Sequence, residues 1–288
     1  MKISAMFGGD KPVVSFEIFP PKPDLPLDTV FKTVEELRSL KPAYISVTYG
    51  AGGSSSSRSI EIVDKVKNHY GLETVAHLTC VGATKETIDA VLDRLQELGI
   101  ENILALRGDP PAGETAFVAP AGGFSYAKDL IAHARQRKFF SIAAAAYPEG
   151  HLECRDLAQD IEYLKLKVDQ GVDLLVTQLF FDNRYFYAFR DKLASRGIAC
   201  PMSAGIMPVL NAAQIKRITS LCGAAIPDEL SRIMTKYGGF PAEMEKAGLD
   251  YACRQMRDLL DNKVDGIHLY TMNKAQQTRT IMHNLGLG

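Results

Sequence analysis

The sequence predicts an α/β fold: a single (β/α)8 TIM barrel over residues 1–288, with extra helices before the last strand. Eight short β-rich runs alternate with helical patterns, which favours parallel strands joined by right-handed crossovers. The length of 288 residues suits one barrel of roughly 250 residues. An open doubly wound sheet usually has a glycine-rich turn after its first strand, where this chain has Pro20 and Pro21.

The predicted strands are near-continuous hydrophobic runs, as expected of strands that are covered on both faces. They lie at about residues 13–19, 44–50, 74–80, 102–108, 139–147, 174–181, 202–207 and 266–272. Between them, apolar residues recur at helical spacing, as at Val30, Val34 and Leu37. The stretch 223–262 is long enough for one or two extra helices. Four glycines follow helical stretches, where a helix C-cap belongs: Gly71, Gly99, Gly171 and Gly197.

Composition excludes several classes of protein. A formal net charge of -1 and no basic run argue against a nucleic-acid partner or a polybasic membrane surface. The N-terminus has no sustained apolar core, so no signal peptide is predicted, and the apolar run 139–147 is too short to span a bilayer. Five cysteines without a CxxC pair predict reduced thiols, a cytoplasmic location and no metal site.

The first predicted strand carries one carboxylate, Glu17, among apolar neighbours. Pro20 and Pro21 end the strand, because proline lacks the N–H that a β-ladder needs. Glu17 is therefore expected at the carboxyl end of strand one, where a barrel enzyme places a general acid. An edge-strand glutamate that points to water is the alternative interpretation.

Polar residues also follow the other predicted strands, and in a barrel these ends converge on one mouth. Two alternatives remain open: His77 could be a satisfied core histidine, and Arg107 with Asp109 could be a surface ion pair. The polar set comprises Glu17, Thr48, Tyr49, His77, Thr79, Arg107, Asp109, Tyr147, His151, Gln178, Tyr270 and Asn273.

The fifth predicted helix carries Asp160 and Lys167 two turns apart, so both lie along one face. Asp160 could bind ribityl or ribose hydroxyls at the barrel rim, or could be a solvated helix charge. The chain has no nucleophile elbow, no clustered carboxylates and no lysine at the end of a clear inner strand. A wide polar mouth without metal remains, which would suit a planar organic cofactor.

Six motifs resemble signatures of the methylenetetrahydrofolate reductase family, in its short bacterial form. They are VSFEIFPP at 14–21, SVTYGA at 46–51, HLTC at 77–80, ALRGD at 105–109, AAYPE at 145–149 and TQLFFD at 177–182. The resemblance implies non-covalent FAD, reduced by NADH or NADPH. The nicotinamide then leaves, and methylenetetrahydrofolate takes its place and is reduced to methyltetrahydrofolate for methionine synthesis.

The same resemblance implies roles for individual residues. Glu17 would be the general acid that promotes opening of the folate ring, and Asp109 would lie near the flavin pyrimidine edge and the pterin. Gln178 would contact folate and nicotinamide in turn, and Tyr270 and Lys274 would bind folate. The implied FAD contacts are Thr48, Tyr49, Ala51, His77, Arg107, Gly108, Asp109, Ala127, Tyr147, His151, Asp160 and Lys167. Among them, Arg107 is expected to face the pyrophosphate.

The chain departs from bacterial relatives at four positions. Ala212 and Lys274 stand where relatives often have phenylalanine and arginine, and Tyr163 and Leu166 replace an asparagine and an arginine of some relatives. Lysine cannot make the bidentate contact of arginine with a carboxylate. These departures affect nicotinamide stacking and the grip on the folate glutamate tail.

Two other functions remain open: a proline dehydrogenase-like FAD barrel, and a folate-binding subunit that needs an electron-supplying partner. We expect a homo-oligomer with a small-molecule substrate, no nucleic acid and no membrane.

Overall fold

Eight parallel strands close into a barrel in the order β1 to β8, with β8 paired back to β1. The computed structural model describes residues 1–49, 56–110, 113–114, 116–154 and 156–287. The predicted (β/α)8 fold is confirmed. The strands are β1 Val13–Ile18, β2 Tyr44–Val47, β3 Thr74–Thr79, β4 Asn102–Leu106, β5 Ser141–Ala146, β6 Leu174–Thr177, β7 Met202–Ile206 and β8 Gly266–Tyr270.

Each strand lies where the sequence predicts one, but all eight end earlier than predicted. Thr48, Arg107 and Gln178 therefore lie in the loops that follow β2, β4 and β6. The apolar runs extend past the strands because the loops themselves are buried: Phe180 and Phe181 after β6 are almost fully covered. An apolar run thus marks burial, and it does not mark where the hydrogen-bonded ladder ends.

Helices connect the strands, and α8 and α9 are the extra helices predicted before β8. The four C-cap glycines adopt positive φ between 67° and 101°, as expected. The helices are α1 Asp28–Arg38, α2 Ser56–Asp64, α3 Lys85–Glu97, α4 Ala127–Arg135, α5 Leu157–Val168, α6 Asn183–Ser195, α7 Ala212–Cys222, α8 Asp228–Tyr237, α9 Pro241–Asp261 and α10 Ala275–Leu285. A π-helical turn, Lys65–His69, follows α2, and a 3-10 turn, Ile3–Ala5, precedes β1.

The barrel interior is apolar at its amino end and polar at its carboxyl end. Outward strand residues such as Phe16 pack against the helices in the main core, because side chains alternate along a strand. Inward residues such as Val13 and Leu104 form a separate cluster with Ile3 of the 3-10 turn. The N–H of Ile3 donates to Asn102 Oδ1 at 2.8 Å, and this hydrogen bond holds the 3-10 turn against the amino end of the barrel. The polar residues of the candidate site lie at the opposite end of the barrel.

A second hydrophobic cluster holds α7 and α8 against the mouth. It joins Leu179 and Met207, from the loops after β6 and β7, to Ile215 of α7 and Leu230 of α8. The pair of helices thereby flanks the carboxyl ends of the strands. Within the described ranges, no helix is both long and apolar enough to cross a membrane.

Candidate active site

Glu17 enters the barrel mouth between two histidines. Its carboxylate oxygen Oε2 lies 3.5 Å from His77 Nε2 and 3.4 Å from His268 Nε2. The Glu17 side chain is 17% exposed, and β1 is paired on both sides, so the edge-strand alternative is wrong. A carboxylate that is almost covered yet open to the mouth can exchange a proton with a bound substrate.

Each histidine is held by a serine. Ser46 Oγ lies 2.6 Å from His77 Nε2, and Ser15 Oγ lies 2.7 Å from His268 Nδ1. Burial lowers the pKa of His77 to about 4, against the opposing pull of the Glu17 charge. His77 is therefore neutral near pH 7.

The sequence identified His77 as a site residue, but it missed His268, Ser15 and Ser46. One signal could have found His268: it shares the two-residue spacing of Gly266 and Tyr270 along β8, and hence their inward face.

Side-chain hydrogen bonds join the end of β1, beside Glu17, to the residues that follow β8. Thr271 Oγ1 donates to the Glu17 carbonyl at 2.6 Å. The Asn273 side chain bonds both backbone groups of Phe19, accepting from its N–H at 3.1 Å and donating to its carbonyl at 2.8 Å. These contacts replace the ladder that Pro20 and Pro21 cannot continue, so they hold the backbone of Glu17 in place.

Tyr270 crosses the mouth from β8. Its hydroxyl donates to the Thr177 carbonyl on β6 at 2.8 Å, and its ring lies edge-on to His268. A Cβ at Gly205, on the intervening β7, would come within 2.8 Å of the Tyr270 ring. Glycine at 205 therefore makes room for this crossing, which forms one wall of the site.

A cavity of about 540 Å3 opens at the carboxyl ends of β4 and β5. Three small residues, Ala105, Ala145 and Ala146, line it on the barrel side. Six of the residues implied as cofactor contacts gather around it: Arg107, Ala127, Tyr147, His151, Asp160 and Lys167. The departures Tyr163 and Leu166 line it as well.

Lys167 and Asp160 place two charges in this cavity. The Lys167 ammonium donates to the Ala145 carbonyl, and burial lowers its pKa to about 8 although Asp160 opposes the shift. The half-buried Asp160 carboxylate accepts the His151 N–H at 3.1 Å, and burial raises its pKa. Asp160 is thus part of the cavity, and the alternative of a solvated helix charge is wrong.

Arg107 pairs with Glu153, so the alternative that it pairs with Asp109 is wrong. Its Nη1 and Nη2 lie 2.5 Å and 2.7 Å from the two carboxylate oxygens of Glu153. Asp109 is exposed two residues beyond, after Gly108, whose φ is +87°. A Cβ at Gly108 would lie 2.7 Å from a Val81 methyl group, so glycine is required here.

The remaining predicted residues lie around the rim. Thr48 and Tyr49 follow β2 and are half-buried, and Tyr49 lines a small recess together with His77. Gln178 folds its carboxamide oxygen onto the Leu179 N–H at 2.9 Å. Lys274 is exposed beside the start of α10. Ala51 lies outside the described residues.

Two further features bear on the chemistry. A second cavity of about 620 Å3 lies beside the starts of α6 and α8. Four of the charged side chains that line this cavity form two ion pairs with one another, Arg184 with Asp182 and Arg254 with Glu229. In the described part of the chain, no three His, Cys, Asp or Glu side chains gather as a metal site would require.

Comparison with known proteins identifies the family. The model of the family "Methylenetetrahydrofolate reductase" matches residues 2–286. The chain belongs to the methylenetetrahydrofolate reductase family. The 5,10-methylenetetrahydrofolate reductase of Escherichia coli is 34% identical over 274 residues, which cover 95% of this chain and 90% of that protein.

Other members of the methylenetetrahydrofolate reductase family are longer. The methylenetetrahydrofolate reductase (NADH) 1 of Arabidopsis thaliana is 37% identical over 99% of this chain, but the chain spans only 50% of the length of that protein. Among solved structures, a Clostridium thermocellum protein described as binding two copies of 5-methyl-5,6,7,8-tetrahydrofolic acid covers 96% of this chain with a TM-score of 0.63. At 14% identity, that likeness supports the fold alone.

Proposed function

We propose that this chain is a flavin-dependent reductase that converts 5,10-methylenetetrahydrofolate to 5-methyltetrahydrofolate with NADH or NADPH, in support of methionine synthesis. The observation that carries this proposal is the Glu17 carboxylate, held between His77 and His268 at the barrel mouth. Family membership supplies the substrate class.

The cavity at the carboxyl ends of β4 and β5 fits FAD in the chemistry of its lining. Arg107 and Lys167 offer positive charge for a diphosphate, and the half-buried Asp160 can accept hydrogen bonds from sugar hydroxyls. The alanines on β4 and β5 leave room for a flat ring system. When bound, FAD supplies hydride transfer between the nicotinamide and the folate.

Glu17 acts on the folate as a proton donor. Opening the five-membered ring of methylenetetrahydrofolate breaks a carbon–nitrogen bond, and the leaving nitrogen needs a proton. Glu17 is the carboxyl group placed to deliver it, because it stands at the barrel mouth with its Oε2 beside His77 and His268. His268 contacts the same oxygen from the opposite side, so both imidazoles orient one carboxyl group.

Anaerobic titration of the purified protein tests the proposal against its alternatives. NADH or NADPH should bleach the flavin absorbance, and methylenetetrahydrofolate should then restore it. Bleaching by proline, and not by NADH or NADPH, would support a proline dehydrogenase-like FAD barrel enzyme. Folate binding without bleaching by either nicotinamide would support a subunit that needs an electron-supplying partner.

We also infer a cytoplasmic location and a homo-oligomeric state. The five cysteines are all unpaired, as in proteins of reducing compartments. Light scattering after size-exclusion chromatography measures the oligomeric state, and a monomeric mass would contradict that inference.

A further inference from the structure

Tyr44 lies at the base of the polar layer, beneath the carboxyl group of Glu17. It stands on β2 opposite Ser15 of β1, and Ser15 in turn stands opposite His268 of β8. The Tyr44 side chain is 1% exposed, and its ring lies nearly parallel to the His268 imidazole, at 25° and 6.2 Å between centroids. Ser15 therefore contacts His268 at Nδ1, away from the Nε2 that lies beside Glu17, and Tyr44 stacks over the face of the same ring.

The Tyr44 hydroxyl is a buried donor beside two serine hydroxyls, Ser15 and Ser203. Burial raises the pKa of Tyr44 to about 12, so it keeps its proton at neutral pH. Neither Tyr44 Oη nor Ser203 Oγ makes a hydrogen bond of standard geometry within the described residues. Buried hydroxyls are seldom left unpaired, so the Tyr44 proton calls for an acceptor among these neighbours.

Ser15 is the neighbour that links Tyr44 to the site. Its single proton can go to His268 Nδ1, at 2.7 Å, or to the Ile267 carbonyl, at 3.4 Å. Donation to Nδ1 leaves the imidazole proton on Nε2, which faces Glu17. Donation to Ile267 requires the proton on Nδ1 and leaves a bare Nε2 toward Glu17.

The shorter contact is the stronger one, and a serine that accepts a hydrogen bond from Tyr44 becomes a better donor. We propose that Tyr44 is a positioning residue that sets the tautomer of His268: Tyr44 O–H donates to Ser15, Ser15 O–H donates to His268 Nδ1, and His268 Nε2–H points at Glu17 Oε2. The tautomer assignment stands on the geometry alone. Its effect on catalysis rests on the proposed function.

NMR of protein labelled with 15N-histidine reads the tautomer directly, without substrate. The His268 signals are assigned by their loss in His268→Asn. Wild-type His268 should carry its proton on Nε2, whereas Tyr44→Phe, which keeps the ring, should shift population to the Nδ1–H form. Ser15→Ala should do the same by removing the link. Ser203→Ala is the matched control, because it removes the other hydroxyl beside Tyr44 and should leave the tautomer unchanged.

A wild-type His268 with its proton on Nδ1 would overturn the proposal, and so would a tautomer that survives Tyr44→Phe. A tautomer that changes in Ser203→Ala but not in Ser15→Ala would also overturn it, because Tyr44 would then act through Ser203. If Tyr44→Phe does not fold, the wild-type spectrum and Ser15→Ala decide the question. In kinetics, Tyr44→Phe should slow folate reduction roughly 2- to 10-fold and leave flavin reduction by NAD(P)H unchanged. A changed tautomer with unchanged folate kinetics would contradict the effect of His268 on Glu17 and leave the tautomer assignment intact.

Discussion

Arg107 and Glu153 form a two-point ion pair at the edge of the cavity between β4 and α5. The two N···O distances are 2.5 Å and 2.7 Å, and the Glu153 hydrogen bond raises the pKa of Arg107. Glu153 is 54% exposed, whereas Arg107 is 20% exposed. The cation expected to meet the FAD diphosphate is therefore already held by a loop carboxylate.

Glu153→Gln should strengthen FAD binding, because it leaves the charge of Arg107 to the diphosphate alone. The exposed carboxylate limits the gain to about 2- to 5-fold in the dissociation constant. Quenching of flavin fluorescence on titration into apoprotein measures it. The same change at Glu97, which pairs with Arg94 on the surface of α3, should have no effect. Weaker binding in Glu153→Gln would mean that Glu153 itself supports the cofactor.

FAD affinity should fall as the pH rises through the pKa of Lys167. That pKa is lowered to about 8, so the ammonium proposed to attract the diphosphate is lost above this pH. The dissociation constant should then increase by up to about tenfold per pH unit until the pKa of the bound form is reached. Lys167→Met should remove the dependence, and Lys165→Met, on the exposed side of α5, should retain it. A pH-independent affinity in the wild type would place the diphosphate away from Lys167.

His77 should make the fold sensitive to acid. Its pKa falls from 6.5 to about 4 on burial, so the unfolded chain binds the proton more readily than the folded chain does. The stability contributed by neutral His77 is present above pH 6.5 and is lost as the pH falls toward 4, at about 1.4 kcal/mol per pH unit.

Urea unfolding of the wild type and of His77→Gln over this pH range measures the difference. The variant should show a flatter pH profile, and exposed His283→Gln should match the wild type. If the free energy of unfolding depends on pH equally in the wild type and in His77→Gln, then His77 is not held in its neutral form by burial.

Asp109→Asn should raise the reduction potential of bound flavin, because it removes a negative charge from the end of β4 near the cavity. Folate reduction should slow more than flavin reduction by NAD(P)H. Dye-coupled potentiometry measures the potential, with Asp93→Asn on α3 as the control. An unchanged potential in Asp109→Asn would place this residue away from the flavin ring.

The fold could be predicted from sequence because the same local pattern, an apolar β-rich run followed by a helical segment, recurs eight times along the chain. The strand ends could not, because Phe180 and Phe181 are as apolar as β6 although they lie in a buried loop. At the site, Glu17 and His77 were found as polar residues within apolar strands. Glu153 was missed because its partner Arg107 lies 46 residues away in the chain, and only the folded loop brings them together.

In the proposed function, Glu17 donates the proton for folate reduction and takes no part in flavin reduction. Glu17→Gln keeps the shape of the side chain but cannot deliver a proton. Stopped-flow measurement of the two half-reactions separates the steps, with Glu149→Gln as a control, because Glu149 binds the Ala225 N–H outside the barrel interior.

Glu17→Gln should bind FAD and be bleached by NADH or NADPH at the wild-type rate. Its reoxidation by methylenetetrahydrofolate should slow by about 10²- to 10⁴-fold, the range expected for loss of a general acid. Reoxidation of Glu17→Gln by the folate at the wild-type rate would contradict the account.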